Sequence, residues 1–196
     1  MSGIAKRVGA LAATSSQQTM LVFLFADGVM SATFYAAFLY LRRMSPTWPV
    51  AFHFPSSLMA AAMTMFAVAA SVTVQVAAHA SRQRDDALSV RSIAAAIAGW
   101  LVFLFLEAIE WTRLILGGVT LRSNPWRVPL FGASFYTLTG LHILHVMAGL
   151  IYLLLVASRI RKYDVGACAL YVHYVNLTWL ILFPSLYLSA ADLQGL

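Results

Sequence analysis

Long apolar runs alternate with short polar connections along the whole chain. About 20 consecutive apolar residues suffice to cross the hydrocarbon core as a helix. The pattern therefore predicts five membrane spans, over residues 20–41, 57–80, 93–116, 131–157 and 169–190. The connections, MSPTWPV before Phe52, SRQRDDALSVR after Ala80, GGVTLRSNPWRVP before Leu130 and SRIRKYDVG after Ala157, hold the Pro, Gly, Asn and Asp residues that end helices. None is long enough to be a second domain. The expected architecture is an all-α integral membrane protein, a single five-helix bundle over residues 20–190 with short tails at 1–19 and 191–196. The opening stretch places Lys6 and Arg7 before a short apolar segment, as a signal peptide does, but it leads into a full-length span and reads as an uncleaved cytoplasmic tail.

Composition agrees. With 61% hydrophobic residues, 10% charged residues and a mean hydropathy of +0.80, the chain has too little polar surface to cover a soluble globule. The net charge of +6 does not point to nucleic acid, because the cations sit at and between the apolar runs, where topology accounts for them. Lys6, Arg7, Arg82, Arg84, Arg91, Arg159, Arg161 and Lys162 fall on one side of the bundle; Arg42, Arg43, Arg113, Arg122 and Arg127 fall on the other. By the positive-inside rule the amino terminus is cytoplasmic and the carboxyl terminus outside. The single cysteine, Cys168, leaves no intrachain disulfide and no cysteine-clustered metal centre within this subunit.

Ionisable side chains inside spans are costly and mark candidate sites. At about 1.5 Å per residue, Asp27 on the first span, His145 on the fourth and His173 on the fifth fall in one layer of the inner half. Asp27 reads either as interhelical glue or as a buried, titratable carboxyl. Glu107, Glu110 and Arg113 on the third span lie in the outer half, and Glu110 and Arg113 are spaced to meet on one helix face as an ion-pair cluster. His142 and His145, three apart, share one face. Two such histidines cannot ligate opposite faces of one porphyrin, so hydrogen bonding to carboxylates, hydroxyls or headgroups is preferred over haem or metal ligation. His53 and His79 fall in or beside loops. Arg42 and Arg43 at a span end are interface anchors and candidate headgroup ligands, and His142 and Trp111 are candidates for lining a lipid cleft.

Four ordered elements carry a family resemblance. GASFYTLTGLHILHVMAG, residues 132–149, resembles the GSxFFxxTGxHGxHVxxG signature of subunit III of the haem–copper respiratory oxidases. YVHYVNLTW, residues 171–179, is similar to its following WHFxDxxW element, Glu107-Ala-Ile-Glu110-Trp111 to its QAxEY segment, and Phe25-Ala-Asp27-Gly-Val-Met30 to its first-span SE or SD element. The likeness covers residues 20–190 and is closest to the short, five-span bacterial form. Ile143 stands for a glycine of the signature, and Val172 and Asn176 stand for a tryptophan and an aspartate. The quinol-oxidase branch resembles the aspartate form at Asp27.

The resemblance implies a non-redox accessory subunit of a proton-pumping terminal oxidase of aerobic respiration, in the bacterial inner membrane. Such a subunit packs on the catalytic subunit I beside other oxidase subunits, holds phospholipid and supports proton uptake. It has no catalytic centre or cofactor of its own; haem and copper belong to partner subunits. On this reading Asp27 with His145, and less centrally His173, tunes proton entry into subunit I. The electron donor, cytochrome c, quinol or a supercomplex partner, engages other subunits, and an accessory protein of nitric oxide reductase shares the fold. Two further classes compete. A haem-b anchor would use His142 or His145 with His173. A proton-coupled transporter would use Asp27, Glu107 and Glu110 as a relay, but five unlike spans do not divide into the repeats common in transporters.

Overall fold

The computed structural model describes residues 2–49, 56–160 and 162–188, with side chains described from Ser15 onward except at 56 and 188. Five helices run in sequence: α1 Ser2–Met44, α2 Ser56–Arg82, α3 Asp86–Leu116, α4 Pro129–Ser158 and α5 Val165–Phe183. A π-helical turn, Pro184–Leu188, continues α5. All five are long and apolar enough to cross a membrane, and no strand occurs among the described residues. The chain is a multi-pass, all-helical membrane protein.

The helices begin earlier than the apolar runs because polar caps, not hydropathy, set their ends. The Asp85 carboxylate accepts from the Leu88 amide at 2.9 Å and starts α3 at Asp86 rather than at 93. Asp164 does the same for α5, accepting from the Gly166 amide at 2.8 Å. Pro129 opens α4, where its missing N–H leaves nothing unsatisfied. The α1 helix begins at Ser2, well ahead of the expected span, since no proline interrupts residues 2–44. Gly118, at φ +82°, takes the left-handed conformation that turns the chain out of α3. The loop that follows is closed by Asn124, which both donates to the Val128 carbonyl and accepts from the Val128 amide.

Packing divides the bundle. Helices α2 and α3 form an antiparallel hairpin whose seam is built from small residues, including Ala67, Ala70, Ala77 and Ala96, all at most 1% exposed. Small residues let backbones approach closely, the main source of attraction between helices in lipid. The α5 helix lies centrally, against α2, α4 and α1. Trp179 of α5 and, from neighbouring helices, Trp100, Phe103 and Phe135 are each fully buried. Two signature glycines are required by close approach. A Cβ on Gly132 would run into the Thr120 backbone carbonyl, and one on Gly149 into the Trp100 ring.

Candidate functional site

One polar junction ties α1 to the rest of the bundle. Asp27, part-buried on α1, places Oδ1 3.0 Å from His145 Nε2 of α4. Its Oδ2 accepts from the Tyr174 hydroxyl of α5 at 2.5 Å, and the Tyr174 oxygen lies 3.2 Å from Ser31 Oγ, one turn along α1 from Asp27. The Tyr171 hydroxyl, also of α5, donates to the His145 carbonyl. A single carboxylate thus bridges three helices.

The proton inventory of this junction follows from the acceptors. His145 Nδ1 lies 2.7 Å from the Leu141 carbonyl oxygen, which can only accept, so Nδ1 carries hydrogen. The Nε2 contact to Asp27 needs a second proton, whether on the imidazole or on the carboxyl. In either form one hydrogen bond joins Oδ1 to Nε2 across the two helices. Pairing is what makes such groups tolerable inside a span, where an isolated charge would cost several kcal/mol or more.

Beside the junction a cleft of ≈ 330 Å³ opens between α1, α4 and α5, bordered by Gly28, Tyr35, Leu138, His142, His145 and Leu177 among others. Its lining is overwhelmingly apolar. His142 on its wall is 4% exposed, donates Nε2–H to the Val175 carbonyl at 3.2 Å and packs its ring against Phe103 and Trp179. With its polar groups engaged in this way, the cleft suits an alkyl chain better than a polar solute.

A second cluster lies toward the other end of the bundle. Glu107 and Glu110 of α3 are each 1% exposed, whereas Arg113 is exposed at the surface. Trp111 Nε1–H is shared between Glu107 Oε1 and Thr139 Oγ1, both at 3.1 Å. Glu107 Oε2 has no hydrogen-bond partner among the described residues. Trp111 borders Gly140 of α4 and is therefore part of the α3–α4 contact, not of the cleft between α1, α4 and α5.

The remaining candidates separate. His173 does not join Asp27; it donates Nε2–H to Gln75 Oε1 of α2 at 3.2 Å. Arg42 donates to the Ser185 carbonyl at 3.1 Å, tying the far end of α1 to the turn after α5, while Arg43 is exposed. His79, exposed at the end of α2, accepts from Gln83, and His53 lies outside the described residues. The sequence pattern did not point to Tyr174, Ser31 or Gln75. A signal existed for Ser31, four residues after Asp27 and so on the same helix face. Tyr174 gave none, being one of several aromatics on α5. Among the described residues no group of three or more His, Cys, Asp or Glu is arranged to hold a metal ion.

Comparison with known proteins gives the family. The family model for cytochrome c oxidase subunit III matches residues 10–191. Cytochrome c oxidase subunit 3 of Thermostichus vulcanus is 31% identical over 181 residues, covering 86% of this chain and 85% of that protein. The Synechocystis protein of the same name is 28% identical over 184 residues, covering 86% of this chain and 73% of its own length. That of Corynebacterium diphtheriae is 28% identical over 150 residues, covering 72% and 70%. With the match spanning all five helices, the chain belongs to the cytochrome c oxidase subunit III family.

Proposed function

We propose that this protein is the non-redox accessory subunit of a haem–copper terminal oxidase in a bacterial inner membrane, packing on the catalytic subunit I. Its amino terminus is cytoplasmic and its carboxyl terminus outside, as the loop charges favour. In this role the chain supports proton uptake and retains phospholipid. One observation carries the reading: Asp27 Oδ1 lies 3.0 Å from His145 Nε2 beside an apolar cleft, in a family whose members bear the oxidase subunit's name.

The residues divide the work. Tyr174 and the Leu141 carbonyl orient the acid and the imidazole, so the two meet along a single contact. The cleft takes an acyl chain of a bound phospholipid, and Arg42 and Arg43 at its end of α1 lie where a headgroup would be met. Replacing Asp27 by alanine in the assembled oxidase should slow proton uptake and shorten the enzyme's working lifetime while leaving haem content unchanged. Stopped-flow proton uptake and turnover-inactivation assays read both, and wild-type values for both would sink the proposal.

A further inference from the structure

One polar pair lies where neither the junction nor the core uses it. Gln75 is exposed on α2, and Arg82, seven residues on, ends the helix, so Gln75 lies about 10 Å inside that end, within the hydrocarbon. It meets half-buried His173 of α5, whose Nε2–H it accepts. Among the described residues the Gln75 amide nitrogen and the second ring nitrogen of His173 have no partner. In water such groups would be hydrated; lipid tails offer them nothing.

The surroundings have the form of a helix-packing seam. Leu170, His173, Leu177 and Leu180 of α5, with Pro184 of the turn that continues it, are partly or fully exposed at spacings of three and four. That is the repeat by which one helix receives another, and a lone polar residue within such a stripe sets the register of its partner. Leu177 and Leu180 are 56% and 43% exposed although α5 is the most enclosed helix of the bundle. An acyl chain could cover the leucines. It could not satisfy the amide and the imidazole.

We propose that this seam of α5, edged by Gln75 of α2, docks a transmembrane helix of a partner subunit that brings a hydrogen-bonding side chain to the level of His173. The assignment rests on the oxidase-subunit reading and adds to it the face used. The test places a photo-reactive residue at Leu180, which unlike Leu177 does not border the cleft, in the full oxidase in native membranes. Leu101 on α3, 53% exposed, serves as the reference. Position 180 should cross-link to one transmembrane peptide of a co-purifying subunit, identified by mass spectrometry, and position 101 to phospholipid. In parallel, the Gln75→Leu, His173→Leu double variant should lower retention of the chain in the detergent-purified complex about tenfold. Phospholipid labelling alone from position 180, in a complex that still contains the chain, would overturn the seam and leave the subunit reading intact. A chain absent from every haem-containing complex would overturn the subunit reading and the seam with it.

Discussion

Helix α1 and the α2–α3 hairpin are held by different physics. The hairpin closes on alanines and Gly99, with backbones near enough that a Cβ on Gly99 would lie 3.2 Å from the Phe66 carbonyl oxygen. By contrast, only 11% of the most apolar part of α1 is buried against the rest of the chain, and its buried hydrophobic residues, among those described, are Leu24 and Phe38. What fastens α1 is polar: Gln17 to Asp164, Asp27 to His145 and Tyr174, Tyr35 to Ser185, and Arg42 to the Ser185 carbonyl. Close packing makes a rigid unit, whereas a row of hydrogen bonds makes a joint that can be loosened one contact at a time. The titratable junction and the cleft both lie on the joint.

The largest effect should come from the packed side. Trp100→Ala removes a fully buried ring and leaves Asn176 Oδ1 without its indole donor, so unfolding in detergent should become easier by roughly 3–5 kcal/mol. An unchanged denaturation midpoint would show that the packed core does not depend on that ring. Gly149→Ala sets a methyl against Trp100 and Tyr171 and should cost about 1–3 kcal/mol, again read as global unfolding.

On the joint, Asp27→Ala should cost about 0.6–1.7 kcal/mol. The loss should appear as faster hydrogen exchange confined to α1, with α2 and α3 at wild-type protection. Uniform loss of protection across all five helices would erase the distinction between joint and hairpin. Tyr174→Phe keeps the Asp27–His145 contact and should loosen α1 less than Asp27→Ala does, on the same exchange measurement. Smallest of all, Arg43→Ala at an exposed position should stay within about 0.5 kcal/mol of wild type in thermal unfolding.

Much of the joint is legible in the order of residues alone. The five spans follow from hydropathy, and the meeting of Asp27 with His145 follows from depth, since each residue advances a helix by about 1.5 Å. His173 shows where that reasoning stops. It lies at a similar depth, but consecutive residues on a helix point about 100° apart, so Tyr174 faces α1 while His173 faces Gln75 of α2. Glu110 and Arg113 show the same limit: three residues apart on α3, one is buried in the bundle and the other is exposed. Gly132 and Gly149 are legible as part of a signature, but their reasons, a carbonyl of the preceding loop and a ring from another helix, are not.

The sequence by itself determined the class of protein, the number of spans, the level of each polar group along its own helix and the family. These are properties of composition, order and rise along one helix. Only the tertiary structure decided which neighbour each group faces: Asp27 bridging to α4 and α5, His173 turned to α2, the cleft between α1, α4 and α5, and an uncovered seam along α5. Facing depends on how helices rotate and cross, and that is settled by packing between residues far apart in the chain.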